Sequence, residues 1–343
     1  MKIVIAGNGI AGILLAERLA KWNPTIVAPR QNKSPTTALC HPFPGRSVQP
    51  HPLLLDAIEA ACDQYLKWHE QYPKLCRPIQ MHRPLVGTGG ERLIRSAVKY
   101  RGFYAQSRIK INHSNPIQID QNLSFKSEIT QKLTYSPAFA IDLQQLIGLR
   151  LQELHLKGCA LIDSHISAIG DNQITLQTGQ TLPFDHLFMA VGTHIKQFFP
   201  SLKLIEEGGS LLQLPELKHT DAYSINGIHL TPNANGESVV GSTRWSGAPP
   251  SEQSCQDQLI QRIHSIVKAE KNLKAGAIWR GVRCINPHDR LPICGLIPNH
   301  RQVSVLAALG NKGLLWGPIS ALSVVNEALS NEPIPDGLSI NRL

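Results

Sequence analysis

The chain has 343 residues, 42% of them hydrophobic, with 34 Lys or Arg against 25 Asp or Glu and a net charge of +9. This length and apolar content predict about two globular domains. No apolar run reaches the ~18 residues of a membrane helix and the start lacks a signal-peptide pattern, so we expect a cytoplasmic protein without a membrane partner. The charge favours an anionic partner such as nucleic acid, although its scatter fits a merely basic surface equally well.

The seven cysteines predict neither a disulfide framework nor a zinc site, because they are odd in number and show no CxxC spacing. The histidines, His194 and His288 included, show no HxH or HxxxH pattern, so no metal ion is predicted. We expect most of the cysteines to be small buried side chains in a reducing compartment.

The first elements predicted along the chain are a strand, a glycine turn, a helix and a second strand. Residues 1–6 are typical of a strand, apolar spacing predicts a helix over Ile13–Trp22, and Thr25–Ala28 is again typical of a strand. The turn GNGIAG matches the dinucleotide-binding pattern GxGxxG with Gly7, Gly9 and Gly12. In that pattern the first glycine makes the tight turn, the second admits a pyrophosphate to the helix N-terminus, and the third lets helix and strand pack.

One part of the dinucleotide-binding pattern is missing. The second strand should end in Asp or Glu, which accepts hydrogen bonds from the adenosine ribose. Here the strand ends in Ala28, Pro29 and Arg30. Arg30 suits the 2′-phosphate of NADP, or else lies in a solvated loop beside the adenosine of a flavin, and the pattern alone leaves both open.

The later elements are of mixed type. Helices are predicted over Leu53–Glu70, Asp142–Leu156, Asp257–Glu270 and Ile319–Leu329. Strands are predicted in hairpins over 174–184 and 224–247, in the buried run 185–192, and over Val303–Ala308. Residues 78–136, with a turn predicted at GTGG (87–90), lack a βαβ rhythm and favour an antiparallel sheet.

Near the C-terminus, GNKGLLWGPIS places Gly310 and Gly313 before an apolar helix, with Lys312 between them. Backbone N–H groups, the positive helix end and the ammonium group would together face an anion. The pyrimidine side of a reduced flavin, which carries negative charge, suits this arrangement. An ordinary glycine turn is the alternative.

Six segments together resemble the D-amino-acid oxidase-like family of FAD-dependent oxidoreductases: GNGIAG, TTALCHPFPGR, FDHLFMAVG, LTPNANGESVVGST, IWRGVRCINPHDRLPICGLIPN and ALGNKGLLWGPIS. The motifs GVRC, LPxxG and ALGxxGL are similar to the oxidoreductase domain of bifunctional tRNA wobble-uridine modification proteins. The resemblance covers both ends and patches of the middle, and it leaves residues 77–134 largely unassigned.

The resemblance implies an α/β fold class (α+β overall), with a Rossmann-type FAD-binding domain on a mostly parallel sheet and a substrate domain on an antiparallel sheet. The FAD-binding domain is expected at 1–52, 137–205 and 276–343, and the interleaved substrate domain at 53–136 and 206–275. Cofactor contacts are expected from Gly7, Gly9, Ile10, Ala11, Gly12, Pro29, Arg30, Thr37, Ala38, Ile166, Ala190, Gly192, Gly295, Gly310, Asn311, Gly313 and Leu314.

The resemblance also implies oxidation of a carbon–nitrogen bond by hydride transfer to FAD. The flavin is expected to be noncovalent or bonded to the protein, and Cys284 falls near where some related sarcosine oxidases attach it. The implied substrate is an N-substituted glycine: the carboxymethylaminomethyl group of a tRNA wobble uridine, or a free amino acid such as glycine or sarcosine. Each carries a carboxylate one carbon from an amine, so each needs a cation.

Three catalytic residues are predicted on the strength of the resemblance. Arg283 in GVRC is the candidate cation because Arg binds carboxylates bidentately, and Arg280 and Arg290 are alternatives. Lys312 is the residue facing the reduced flavin. His41 would tune the protonation of the amine, and capping a backbone carbonyl is its alternative role.

Three departures from the family keep other functions open. The ribose acid is absent, GGSLLQLP lacks an Arg expected near the flavin, and no methyltransferase domain precedes Met1. A tRNA enzyme of this kind would therefore work with a separate methyltransferase partner. The hypotheses are a tRNA-modifying oxidoreductase, an oxidase of free glycine, sarcosine or D-amino acids, and a nucleotide- or RNA-binding member without redox activity.

Overall fold

The structure is a computed structural model that describes residues 1–31, 33–43, 48–85, 88–105, 107–114, 123–126, 129, 131–268 and 273–343. Its strands are β1 Ile3–Ala6, β2 Thr25–Val27, β3 Ala38–Cys40, β4 Cys76–Leu85, β5 Lys110–Ser114, β6 Gln131–Ile141, β7 Ala160–Ile162, β8 Ile166–Ile169, β9 Gln173–Leu176, β10 Thr181–Pro183, β11 His186–Met189, β12 Ile205–Lys218, β13 Ala222–Ile225, β14 Ile228–Pro232, β15 Glu237–Gly241, β16 Ile278–Ile285, β17 Ile293–Ile297 and β18 His300–Ala307. Its helices are α1 Ile10–Leu19, α2 Leu54–Gln71, α3 Thr88–Lys99, α4 Arg101–Ala105, α5 Leu143–Leu156, α6 Ile195–Phe198, α7 Glu252–Ile266 and α8 Gly313–Ser330.

The chain divides into two compact units that interleave along the sequence. The first unit comprises Met1–Ser34, Gln144–Glu207 and Val282–Leu343, and the second comprises Pro35–Leu143 and Gly208–Gly281. Residues 35–43, 48–52, 137–143 and 276–281, which were expected in the FAD-binding domain, thus lie in the second unit, and residues 206–207 lie in the first. The reason is strand pairing, because β3 pairs with β6 of the second unit, Ala38 opposite Ile141.

The first unit is built on a mostly parallel sheet. Its strand order is β17-β18-β11-β1-β2-β7, and the pairs from β18 to β7 are parallel while β17 is antiparallel to β18. Every residue of β1 is buried, as expected for a parallel strand covered on both faces. A small antiparallel sheet of order β10-β9-β8 belongs to the same unit.

The second sheet is mostly antiparallel. Its order is β16-β12-β15-β14-β13-β4-β6-β3, with β5 also on β6. The β13–β4 pair is parallel, while the pairs β12–β15, β15–β14, β14–β13, β4–β6, β6–β3 and β5–β6 are antiparallel. The hairpin predicted within 224–247 forms between β14 and β15, and the Asn/Gly cluster makes its turn. The predicted α/β class with one mostly parallel and one antiparallel sheet is confirmed.

Several helices differ from the sequence prediction, and α1 begins at Ile10 rather than at Ile13. The last three residues of the predicted GTGG turn begin α3, while Gly87 lies outside the described residues. Helix α7 begins at Glu252 rather than Asp257, because the Ser251 hydroxyl accepts a hydrogen bond from the Ser254 N–H at 3.1 Å. Its predicted end, Glu270, lies outside the described residues.

Helix α8 begins at Gly313, before its predicted start at Ile319, and contains Pro318. Among the helices of the described ranges, none has the length and apolar character to cross a membrane. All seven cysteines are buried free thiols.

Candidate functional site

The glycine turn between β1 and α1 combines two tightly packed glycines with one open one. Gly7 has φ +105°, and a Cβ there would lie 2.3 Å from the carbonyl oxygen of Ala190. A Cβ on Gly12 would lie 2.0 Å from the carbonyl oxygen of Gly7. A Cβ on Gly9 would meet no described atom within 4 Å. The turn therefore needs glycine at positions 7 and 12 for packing, and it leaves free space in front of the helix at Gly9.

Helix α1 opens onto that space. Gly9 is its N-cap and, among the described side chains, none caps it. The first N–H groups of a helix, here those of Ile10 and Ala11 and their neighbours, have no partner within the helix and favour an anion. The Asn8 side chain donates a hydrogen bond to the Pro29 carbonyl at 2.8 Å, which ties this turn to the end of β2.

The carboxylate that the sequence lacks at the end of β2 is supplied at that place by Asp163, which follows the neighbouring strand β7. Asp163 directly follows β7, which pairs with β2 in parallel register. It accepts a hydrogen bond from the Arg30 backbone N–H at 3.0 Å, and its other oxygen lies 3.3 Å from the Arg30 Nε. The Asp163 side chain is 51% exposed, so it is open to a ligand. The sequence analysis missed it because it lies 133 residues from Arg30 in the chain.

The start of α8 lies beside the start of α1. A Cβ on Gly313 would lie 4.0 Å from the Ile10 Cγ2, and one on Gly317 would lie 2.9 Å from the Leu14 Cδ1. Because these contacts advance along both helices in the same order, the helices run in the same direction and begin at the same end. Two positive helix ends therefore point to one region of the first unit.

The turn before α8 carries the predicted lysine. Gly310 has φ +56°, a conformation that favours glycine, and Asn311 beside it is exposed. Lys312 is half-buried, and burial followed by the nearby Arg290 charge lowers the pKa of its ammonium group, while Asp289 opposes the shift. Leu314 follows in the first turn of α8.

The candidate carboxylate-binding arginines differ in surroundings. Arg283, in the first unit, is half-buried near the end of β16. Arg280 belongs to the second unit, where it donates a hydrogen bond to the Pro250 carbonyl and lies 5.4 Å from the centre of the Trp245 ring. Arg290 is exposed. Arg280 is thus engaged in packing within the second unit.

Cys284 has the surroundings of a packing residue. It is 6% exposed, and burial followed by the Glu206 charge raises the pKa of its thiol to about 11. At neutral pH it is therefore a protonated thiol with little nucleophilic character.

His41 lies in the second unit among basic groups. It is 5% exposed, and its ring centre lies 5.7 Å from that of His229. Burial, then His229 and Arg83, hold the pKa of the His41 imidazole well below its usual range. Its Nδ1 has no hydrogen-bond partner in the described ranges. The His41 imidazole is therefore neutral at physiological pH, and His229 and Arg83 are neighbours that the sequence did not predict.

The structure brings together one part of the predicted set. The starts of α1 and α8 lie side by side, and the glycine turn before α1 contacts Ala190 and the end of β2. The predicted residues that lie in this region of the first unit are Gly7, Gly9, Ile10, Ala11, Gly12, Pro29, Arg30, Ala190, Gly310, Asn311, Lys312, Gly313 and Leu314. Ile166 begins β8 in the small sheet, and Gly192, with φ +60°, is exposed after β11.

Other predicted residues lie apart from these. Thr37 and Ala38 belong, like His41, to the second unit. A Cβ on Gly295 would lie 3.2 Å from the Glu327 carboxylate in the last turn of α8. That turn is 14 residues, or ~21 Å, from the helix start, so Gly295 serves the packing of β17 and not the region where α1 and α8 begin.

Comparisons with known proteins cover most of the chain. A sequence model of the family described as FAD dependent oxidoreductase (DAO) matches residues 2–326. Over 151 residues the chain is 26% identical to the tRNA 5-methylaminomethyl-2-thiouridine biosynthesis bifunctional protein MnmC of Maricaulis maris (strain MCS10), covering 43% of this chain and 24% of that protein. The chain thus spans about a quarter of the length of the curated relatives it matches.

Solved structures share the fold over nearly the whole chain. Glycine oxidase from Bacillus cereus ATCC 14579 has a TM-score of 0.81 at 14% identity, covering 97% of this chain and 96% of that chain. Iminodiacetate oxidase from Chelativorans sp. BNC1 has a TM-score of 0.77 at 16% identity, covering 98% and 99%. The predicted FAD cofactor and oxidoreductase class are confirmed by the family match. The chain belongs to the DAO family of FAD-dependent oxidoreductases.

Proposed function

We propose that this protein oxidises an N-substituted glycine, the carboxymethylaminomethyl group of a tRNA wobble uridine. A hydride leaves the carbon between nitrogen and carboxylate, an imine forms, and water then releases aminomethyl uridine and glyoxylate. The observation that carries the tRNA assignment is the sequence similarity to MnmC. The net charge of +9 supports a polyanionic substrate. A separate methyltransferase partner stays a prediction.

The first unit offers the groups that FAD requires. The open space at Gly9 and the first N–H groups of α1 suit the pyrophosphate. Asp163 offers the ribose a carboxylate beside Arg30, in place of the missing acid of β2. The start of α8 with Lys312 suits the negative pyrimidine side of the ring. When bound, FAD supplies the two-electron acceptor of the reaction.

Arg283 is the side chain proposed to act on the substrate. It would hold the glycine carboxylate bidentately, which orients the carbon that loses hydride. A role for His41 in the protonation of the amine stays a prediction. Burial, His229 and Arg83 lower the pKa of its imidazole, which keeps it neutral but makes it a weak proton acceptor.

A second function is an oxidase of free glycine-type amines. The fold likeness to glycine oxidase and iminodiacetate oxidase favours it. The reaction and the carboxylate-binding residue would be the same, and the two functions differ in what is attached to the nitrogen. A member without redox activity has no support from the family match.

Anaerobic reduction of the flavin separates these functions. FAD-loaded protein is mixed with hypomodified tRNA, glycine, sarcosine or iminodiacetate, and flavin absorbance and glyoxylate are followed. The proposal expects bleaching and glyoxylate with hypomodified tRNA but not with fully modified tRNA. Bleaching by free amines alone would favour the second function, and a protein that takes up no FAD would contradict both.

Two matched variants test the carboxylate-binding residue. Arg283→Lys keeps the charge but loses the bidentate geometry, so KM for the substrate is expected to rise at least tenfold. Arg280→Lys is the control and is expected to leave KM within a factor of about two. The reverse order would assign the carboxylate to Arg280.

A further inference from the structure

Much of the positive charge of the chain is concentrated in one short segment of the second unit. Residues 88–113 contain six Lys or Arg and one acidic residue, Glu91, which accounts for five of the nine net positive charges. The basic residues are Arg92, Arg95, Lys99, Arg101, Arg108 and Lys110. This segment forms α3, α4 and the start of β5, and it lies within the part of the sequence that the family motifs leave unassigned.

Helix α3 sorts its residues onto two faces. Leu93 and Ala97, four residues apart, are 7% and 6% exposed and form the packed face. Arg92, Arg95 and Lys99 recur at spacings of three and four on the opposite face, and all three are exposed. Arg101 at the start of α4 is exposed as well. The helix therefore presents a basic face to solvent.

Most of these cations form no ion pair within the described ranges. Arg108 is the exception, since its guanidinium lies 2.7 Å from Glu59 and 2.8 Å from Asp63. Arg92, Arg95 and Arg101 make no ion pair with any residue of the described ranges. Uncompensated charges held close together on a helix repel one another, so their partner is to be sought outside the chain.

Aromatic side chains accompany the basic ones. Lys99 lies with its Nζ 5.2 Å from the centre of the Tyr100 ring. Phe103 is 37% exposed and packs edge-on against the buried Tyr104, at 5.2 Å between ring centres. The Tyr104 hydroxyl donates a hydrogen bond to the Val48 carbonyl at 2.7 Å, which fixes α4 to the unit. An exposed ring beside cations suits a single-stranded nucleic acid, because unpaired bases stack on the ring and phosphates bind the cations.

We infer that the exposed basic face of α3 and α4, formed by Arg92, Arg95, Lys99 and Arg101 with Phe103, is a docking surface for the RNA backbone of the substrate. The inference rests on the proposed tRNA function and adds the surface that would hold the tRNA body. Charge complementarity selects the partner, since phosphates neutralise clustered Arg and Lys and release counterions. RNA is favoured over an anionic membrane because exposed aromatic rings and arginines both stack on bases.

The test compares two triple variants of the FAD-loaded protein. Arg92→Gln, Arg95→Gln and Arg101→Gln together remove three charges from this face. Lys74→Gln, Lys218→Gln and Lys274→Gln remove three exposed charges elsewhere in the same unit. Binding of unmodified tRNA is measured by fluorescence anisotropy at several salt concentrations, and oxidation of a free glycine-type amine is measured in parallel.

The arginine variant is expected to bind tRNA at least tenfold more weakly at low salt, with a salt slope reduced by about two to three. The lysine variant is expected to stay within about twofold, and free-amine oxidation and FAD content should be unchanged in both. A further variant, with Arg92, Arg95 and Arg101 all replaced by Lys, keeps the charge and should restore most of the affinity. Thermal unfolding of each variant establishes that the fold is intact.

The outcomes separate this inference from the proposed function. Wild-type affinity in the arginine variant, or an equal loss in the lysine variant, overturns the docking surface and leaves the tRNA function standing. A wild-type protein that neither binds nor oxidises tRNA overturns both. Binding to phosphatidylserine vesicles without binding to tRNA overturns the docking surface in favour of a membrane.

Discussion

The two kinds of glycine in the first turn respond differently to the same substitution. Gly9→Ala adds a methyl group where the described residues leave open space, and the backbone there, φ −70° and ψ −173°, is one that alanine adopts freely. Gly12→Ala adds the same group 2.0 Å from the Gly7 carbonyl oxygen. The first change should therefore act on the cofactor and the second on the fold. Gly148→Ala in α5, where a Cβ also meets no described atom within 4 Å, is the control.

The expected magnitudes follow from these distances. At Gly12 the new Cβ falls 1.4 Å short of the 3.4 Å at which ordinary contact begins, so α1 and the turn must separate. Such overpacking costs about 1–3 kcal/mol, which exceeds the ~1 kcal/mol that alanine gains over glycine inside a helix. At Gly9 the cost to the apoprotein is about 1 kcal/mol or less, since glycine is only a moderate N-cap. Loss of the pyrophosphate approach should weaken FAD binding by roughly tenfold or more, ~1.4 kcal/mol.

Two measurements on each apoprotein test the reasoning: urea unfolding and titration with FAD. Gly9→Ala should unfold close to wild type but bind FAD weakly, and Gly12→Ala should lose stability first. Gly148→Ala should match or exceed wild-type stability and bind FAD normally. Wild-type FAD affinity in Gly9→Ala would refute the pyrophosphate position, and wild-type stability in Gly12→Ala would refute the close packing of the turn.

Three further results are expected. Asp163→Asn should weaken FAD binding several-fold without changing apoprotein stability, because its side chain is 51% exposed; unchanged affinity would mean that the ribose binds elsewhere. Acid precipitation should release all the FAD from the protein, because burial keeps Cys284 protonated with a pKa of about 11; flavin retained in the pellet would contradict this. The folded state lowers the pKa of the His41 imidazole, and those of His186 and His229 to about 4. Stability should therefore be unaffected above pH 6.5 and fall below it, by up to ~1.4 kcal/mol per pH unit for each group, as urea unfolding of wild type and His186→Gln would reveal.

The sequence predicted those parts of the site that are local in the chain. GNGIAG defines its own turn, because the third glycine packs against the backbone of the first within the motif. The position of Asp163 was not predictable from the strand that carries Arg30, since it depends on β7 pairing with β2. The contact between His41 and His229 likewise joins two distant parts of the chain. Such juxtapositions follow from topology and leave no local signal.

Two helices form despite residues of low helix propensity, because tertiary packing stabilises them. Two glycines at the start of α3 disfavour a helix, yet the burial of Leu93 and Ala97 at helical spacing stabilises it. Pro318 lacks the N–H that would bond inside α8, and the close contact of α8 with α1 compensates for that loss. In both cases tertiary contacts supply what intrinsic propensity does not.

Analysis of the wobble nucleoside tests the proposed function most directly. Hypomodified tRNA carrying the carboxymethylaminomethyl group is incubated with the FAD-loaded protein, digested to nucleosides and examined by mass spectrometry. We expect conversion to the aminomethyl nucleoside, with one glyoxylate released for each nucleoside converted and no conversion by Arg283→Ala. An unchanged nucleoside, in a protein whose flavin is reduced by free glycine or iminodiacetate, would contradict the tRNA function.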